Sequence, residues 1–457
     1  MARKRELELG TVLPRARRPL FRAAPDLFAN NDLRIIIAQQ KVERGSVMVP
    51  LEVDGQRLWN TLMASAEIGA LPEGGLRRLA LTDADRQMRD LFAHWAAEAG
   101  YPVSIDQLGT MIVRRQGTSR ILPPVVIGSH LDTQWAGGRF DGILGVLAGF
   151  EVLRSLDDNR IETLRPIEVV NWTNEEGARF QPPMLCSLAF AGKVSVEWVL
   201  ERQDQEGRRF RDELERIDYS GIAPVQRPID SYFELHIEQG PILDAKGLKV
   251  GIVTGGYPTR YMRIIVRGEN AHVGPTPMER RSNALVGAAL VAAAVNDIGW
   301  KHASADGKTT AARLDLEPNL PGIISHYAQL YIDFRHPDMA SLLAMEEEIR
   351  KAIVRCAESS RTNIEIAESW GFGGLQFDPE LVELLNSTAK RLGITTMDLK
   401  SQAGHDAYNV AAVAPACMIF TPCDEGISHN VRENTRLQDQ LPGINVLANA
   451  VVERANR

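Results

Sequence analysis

An α/β fold carrying a smaller α+β insert is the architecture this sequence predicts, and three observations point to it. Between residues 103 and 171, short apolar runs alternate with a segment of helical periodicity, the pattern of strands layered with helices. After Gly251 the composition changes to strand, alanine-rich helix, strand, charged helix and strand. Beyond residue 368 the chain returns to a helix and an apolar strand, so the block between reads as an insertion. The expected parts are a basic N-terminal extension over 1–50, a main domain built from 51–250 and 368–457, and the insert over 251–367.

Regular structure is expected from near residue 55, with helical spacing of apolar residues from Leu58 to Ile68. Thr82 to Gly100 reads as a capped helix ending at a glycine. Val103–Ile105 and Met111–Arg114 are expected as short strands and Val125–Ile127 as a buried one. Ile143, Val146, Leu147, Phe150 and Leu153 recur with helical period, and Ile167–Asn171 is a further apolar strand. In the insert, Tyr261–Val266, Leu330–Phe334 and Ile364–Ala367 are expected strands. Asn283–Ile298 and Ser341–Cys356 are expected helices. Helix 379–391 and strand Ala416–Phe420 complete the pattern.

With 44% hydrophobic and 24% charged residues, the 457-residue chain has the composition of a soluble globular protein. A formal charge of −7 argues against a fold-wide nucleic-acid surface. No run approaches the ~18 apolar residues of a membrane span, so neither nucleic acid nor membrane is an expected partner. Four cysteines, none in a C-x-x-C pair, exclude a disulfide scaffold and fit a reduced, cytoplasmic protein. Residues 1–22 hold seven basic and two acidic side chains with no apolar stretch after them, which is not a secretory signal. The segment reads as a solvated arm, with docking on an acidic neighbouring subunit as the alternative.

The chemistry-bearing residues cluster at predicted strand ends, where α/β folds present ligand-binding groups. His130 stands in Gly-Ser-His-Leu-Asp132, directly after a strand, and His-x-Asp places an imidazole beside a carboxylate able to orient it. Asp141 lies in a glycine-rich turn before a helix, where an N-cap is the ordinary reading. Glu175 and Glu176 follow the strand at 167–171. Adjacent carboxylates on a turn face different ways, so one can bind metal while the other handles protons. His236 lies in Phe-Glu-Leu-His-Ile-Glu-Gln-Gly240 and His429 in Ile-Ser-His-Asn430. Each motif alone is weak. Together, three histidines, an aspartate and a glutamate without cysteine suit a pair of divalent ions such as zinc, manganese or cobalt.

With these motifs, Ala-His-Val-Gly-Pro-Thr-Pro-Met278 and Ser-Gln-Ala-Gly-His-Asp-Ala407, the chain resembles the amidase, hydantoinase/carbamoylase family over about 55–457. That family includes N-carbamoyl-L-amino-acid hydrolases, β-ureidopropionases and allantoate amidohydrolases, within a clan of cocatalytic zinc aminoacylases and carboxypeptidases. The resemblance implies a mixed central sheet flanked by helices, and an insert serving as lid and dimerisation domain. It implies that His130, Asp141 and His236 hold one ion and that Asp141, Glu176 and His429 hold the other. Glu175 would be the general base and Asp132 would orient His130. His272 would stabilise the oxyanion in the partner subunit of a homodimer, and Arg335 would clamp the carboxylate of a small-molecule substrate, with Gln239 and His405 lining the pocket.

Departures from the family pattern concern the substrate. Gly322 stands where an asparagine is usual, Trp135 follows Asp-Thr-Gln, Tyr257-Pro258 replaces Gln-Gly, Cys186–Leu188 replaces Gly-Ser-Gly, and Gln402 replaces glycine. The expectation is a metal-dependent amidohydrolase of linear carbamoyl or ureido C–N bonds. Its substrate is expected to be flatter or more apolar than an ordinary N-carbamoyl-L-amino acid. A deacylase or dipeptidase of the same clan, and a catalytically silent binding protein, are the alternatives.

Overall fold

The computed structural model describes residues 50–457; the arm expected over 1–50 lies outside these residues but for Pro50. Twelve strands form two sheets. In chain order they are β1 (Val103–Ile105), β2 (Met111–Arg115), β3 (Val125–His130), β4 (Ile167–Trp172), β5 (Ser231–Ile237), β6 (Val250–Gly256), β7 (Thr259–Arg267), β8 (Lys308–Glu317), β9 (Tyr327–Arg335), β10 (Asn363–Phe372), β11 (Thr396–Ser401) and β12 (Ala416–Thr421). The large sheet has the order β1-β2-β4-β3-β5-β12-β6-β11 and is mixed. Its centre, β4-β3-β5-β12, is parallel. Every residue of these four strands is buried, as expected where helices cover both faces.

The small sheet, β10-β7-β9-β8, is antiparallel throughout. It carries its own apolar core, in which Met262, Ile264, Ile332 and Phe334 meet helices Ala284–His302 and Met339–Ser360. It runs from Thr259 to Phe372, so β6, assigned to the insert from sequence, belongs to the large sheet. Helix Ala284–His302 is the one described helix long and apolar enough to cross a bilayer, but a stripe including Ala288, Val291 and Val295 is buried against the small sheet.

Local signals account for the helix at Asp83–Glu98: the Thr82 hydroxyl accepts from the Asp85 N–H, and acidic residues fill the first turn. The same helix supplies a buried ion pair that props up the turn after β4. Arg89 and Asp85 are both fully buried. Arg89 Nε donates to Asp85 Oδ2 at 2.8 Å, while its other nitrogens donate to the Gly109 carbonyl at 2.7 Å and Thr173 Oγ1 at 3.2 Å. Truncating Arg89 strands a buried carboxylate. Arg89→Ala is therefore expected to lower unfolding free energy by about 3–5 kcal/mol in urea titrations. Lys351→Ala, which breaks an exposed pair with Glu347, should change it by less than ~1 kcal/mol.

Candidate metal centre

The five predicted ligands converge at the carboxyl ends of the parallel strands. His130 ends β3, Glu175 and Glu176 follow β4, His236 lies in β5, and His429 follows β12. Asp141 comes from the turn between β3 and helix Ile143–Asp158. That turn needs glycine at 142, where φ is +70° and a β-carbon would collide with the His130 ring. Three further residues hold left-handed backbone beside the site: Asn174 at φ +58°, Gln239 at +57° and His429 at +52°. Such geometry costs energy and persists where surroundings enforce it. Asn174 is enforced by its side chain, whose Nδ2 donates to the Phe180 carbonyl at 2.9 Å.

Two donor groups form around one shared carboxylate. His130, Asp141 and His236 offer ligand atoms within 4.8 Å of one another, and so do Asp141, Glu176 and His429. Asp141 Oδ1 lies 3.2 Å from His236 Nε2, and Asp141 Oδ2 lies 3.2 Å from His429 Nε2. His429 Nε2 is also 3.3 Å from Glu176 Oε2. The buried His236 Nε2 and Glu176 Oε1 have no hydrogen-bond partner. Meanwhile Nδ1 of His130 lies 2.9 Å from the Asp132 carbonyl and Nδ1 of His236 lies 2.9 Å from the Ile237 carbonyl. These contacts turn each Nε2 lone pair toward the centre, the arrangement metal-binding imidazoles use. The residues present fit divalent cations.

The charges are poised accordingly. Burial raises Asp141, but the neighbouring imidazoles of His236 and His429 prevail and hold it well below the usual carboxylate range. The charge of Glu176 leads the effects that lift His429 to about 11. Burial lowers His236, yet Asp141 lifts it to about 9. Burial, reinforced by Asp406, Glu176, Asp132 and Glu234, pushes Glu175 well above the carboxylate range. Glu175 Oε2 sits 3.5 Å from His130 Nε2.

Not every predicted role matches its contacts. Asp132 orients His130 through its backbone carbonyl; its carboxylate lies 3.9 Å from the ring and instead accepts the N–H groups of Glu175 at 3.2 Å and Glu176 at 3.3 Å. Gln239 lines the cleft and donates to Asp141 Oδ2 at 3.0 Å. His405 lines it too, with its ring centroid 4.6 Å from that of His236. Arg335 reaches the cleft from β9. Trp135 does not line it: the ring is 62% exposed and stacked under the Arg77 guanidinium. Tyr257 does not line it either: its hydroxyl lies 2.6 Å from Asp306 and its ring lies beside the Lys308 ammonium. Cys186 is buried in the main core, with Sγ 3.8 Å from the Leu108 carbonyl. His272 and Gly322 share an exposed surface, where residue 272 pairs with Ile323, and neither lines this chain's cleft.

Sequence reasoning missed the supporting residues. Glu433 Oε1 accepts the N–H groups of Phe140 and Asp141 at 3.0 and 3.1 Å and thereby anchors the Asp141 turn. Ser428 Oγ bridges Asp141 and Glu433, at 3.2 and 3.0 Å. Gln134 Nε2 donates to Glu176 Oε2 at 2.9 Å. The only available signal was proximity to the histidine and aspartate motifs.

A mixed α/β sheet that gathers two nitrogen–oxygen donor sets around a shared aspartate defines a metal-dependent hydrolase. The chain belongs to peptidase family M20/M25/M40, whose family model matches residues 126–453. It is 41% identical over 404 residues to an N-carbamoyl-L-amino-acid amidohydrolase of Rhizobium meliloti, covering 88% of this chain and 97% of that one. An allantoate amidohydrolase of Escherichia coli is 29% identical over 396 residues, covering 86% and 96%. A crystal structure of an amidase of the hydantoinase/carbamoylase family from Burkholderia vietnamiensis superposes with a TM-score of 0.85 at 45% identity, covering 89% of this chain and 98% of that one. The enzyme class is amidohydrolysis of non-peptide C–N bonds.

Ligation would require neutral imidazoles, whereas Asp141 raises His236 to about 9 and Glu176 raises His429 to about 11, which favours their protonated forms. Loading therefore expels protons, and affinity strengthens as pH rises. Competition titrations between pH 6.5 and 8.5 should show apparent affinity rising by up to roughly tenfold per unit for each proton displaced. A pH-independent affinity would contradict the imidazole ligand set.

Proposed function

We propose that the protein hydrolyses a linear carbamoyl or ureido C–N bond in a small, carboxylate-bearing molecule. The observation that carries this reading is Glu175, a buried carboxyl of raised proton affinity beside two donor sets that share Asp141. We assign two divalent cations, zinc, manganese or cobalt, to His130, Asp141, His236, Glu176 and His429. Bound there, they would supply Lewis acidity toward the scissile carbonyl and toward water. Glu175 takes a proton from the attacking water and returns it to the leaving nitrogen. Burial and the neighbouring carboxylates raise its proton affinity, which favours uptake of a proton during attack. Burial of Glu175 and of the imidazoles of His130, His236 and His405 limits competing water. Arg335 and Gln239 orient the substrate. Four buried, unpaired cysteines support a reducing, cytoplasmic setting.

The flatter, apolar substrate expected from sequence loses much of its support, because none of Trp135, Tyr257 and Cys186 lines the cleft. An N-carbamoyl amino acid is the simpler fit. Release of ammonia and carbon dioxide, rather than a carboxylic acid, distinguishes this activity from deacylation. Glu175→Gln should retain metal by elemental analysis and lose about 10²–10⁴-fold in rate. A carboxylic acid as the only co-product would replace the reading with a deacylase.

We further propose a homodimer in which His272 completes the partner's site. Helix Ala284–His302 exposes Leu285, Val286 and Leu290, and the surface around His272 exposes Val273, Met278, Leu320 and Ile323, an apolar area suited to association. Mixing His272→Ala with Glu175→Gln subunits should partly restore activity, since one hybrid site is intact. A dead mixture despite proven subunit exchange would refute sharing.

A further inference from the structure

We propose that Lys400 supplies the net positive charge that selects the substrate's carboxylate, with Arg335 acting beside it as a neutralised hydrogen-bond donor. The inference rests on the amidohydrolase reading and names the anion subsite of that cleft.

The cavity next to the donor sets measures about 610 Å³ and is bordered by three cationic side chains, Lys308, Arg335 and Lys400. Two of the three are spoken for. Arg335 Nε and Nη2 grip Asp333 Oδ1 and Oδ2, each at 2.8 Å, in a two-pronged pair. Nη2 also reaches Tyr261 Oη at 3.3 Å, and Nη1 donates to the Gln402 carbonyl at 2.5 Å. A guanidinium has five N–H bonds, so four are committed and one, on Nη1, is left for a ligand. Asp333 cancels the charge that an incoming carboxylate would feel from Arg335. Lys308 is likewise paired with Asp306.

Lys400 has neither an ion pair nor a hydrogen bond among the described residues, and it is exposed. Its position is specific. β11 pairs with β6 in parallel, and the register slips by one residue between Leu399 and Lys400. Such slips sharpen local twist, and Leu399 and Lys400, successive on the strand, both border the cavity. Lys400 is two residues from Gln402, whose carbonyl binds Arg335, and all three border the same cavity. A carboxylate there meets one full positive charge from lysine and one directional donor from arginine.

The test uses matched free acids and carboxamides: N-carbamoyl-L-methionine with its amide, and N-acetyl-L-methionine with its amide. The readout is the acid-to-amide ratio of kcat/KM in metal-loaded enzyme. Kd values for the same compounds on metal-loaded Glu175→Gln are measured in parallel. Lys400→Gln should lower that ratio about ten- to a hundredfold, the worth of a charged hydrogen bond, and Lys400→Arg should restore most of it. Raising salt should erode the ratio of wild type and leave that of Lys400→Gln flat. A ratio in Lys400→Gln within roughly twofold of wild type, by kcat/KM and by Kd, would overturn the proposal. Turnover of only the acetyl pair would overturn the carbamoyl reading while still testing Lys400. With no turnover of either pair, the Kd ratios decide.

Discussion

Everything about this fold's active end depends on holding one carboxylate, that of Asp141, between two imidazoles. A buried carboxylate is costly unless paired and hydrogen-bonded, and Asp141 is surrounded with that in mind. Its own N–H and that of Phe140 are fastened to Glu433, its Oδ2 receives Gln239 and Ser428, and both oxygens face an imidazole nitrogen. Gly142 removes the one side chain that would block His130. His236 Nε2 and Glu176 Oε1 nevertheless stay buried without hydrogen bonds. Divalent cations would offset that deficit, because a deprotonated imidazole nitrogen and a carboxylate oxygen are both metal donors.

The large and small sheets divide the work. Parallel strands of the large sheet end together, and their ends deliver the ligands and Glu175. The small sheet contributes Tyr261 from β7 and Asp333 and Arg335 from β9, all bordering the same cavity. The donor sets and the Arg335 end of the cavity therefore rest on separate cores, and the bond from Arg335 to the Gln402 carbonyl ties one to the other.

Much of this was legible in the sequence. Elements with a strong period came through with small errors at their ends: Val103–Ile105 and 379–391 match, and Ile167–Asn171 is one residue short. β8 was missed because most of Lys308–Glu317 is exposed or half-exposed at a sheet edge and shows no apolar run. The final helix, Leu437–Ala455, was missed although its buried face is apolar; it carries Pro442 near its start. The donor motifs were readable because few side-chain types offer such donors, and the structure brings those residues together. Glu433 and Ser428 act through backbone and hydroxyl contacts that many sequences could make, so nothing in their local pattern announces them. Trp135 shows the limit of reading substitutions without geometry: one residue beyond Gln134, which does touch Glu176, the chain has already turned its side chain to Arg77 and solvent.

Glu175 and Glu176 show how adjacent, chemically identical side chains come to differ. Glu176 turns toward His429 and Gln134, whose Nε2 atoms lie 3.3 and 2.9 Å from its Oε2. Glu175 turns inward, where no group among the described residues donates a hydrogen bond to its carboxyl and where Asp406, Asp132 and Glu234 crowd it. Burial and like charge both favour the proton there, the environment a base requires if it is to accept a proton and then release it. What keeps the two from exchanging places is the turn that carries them. Asp132 accepts both of their N–H groups, Asn174 just before them is held in left-handed backbone by its own side chain's bond to the Phe180 carbonyl, and Thr173 is held from behind by Arg89. The division of roles is thus set by backbone restraints three residues deep, and the buried Arg89–Asp85 pair, far from any substrate, is the outermost of them.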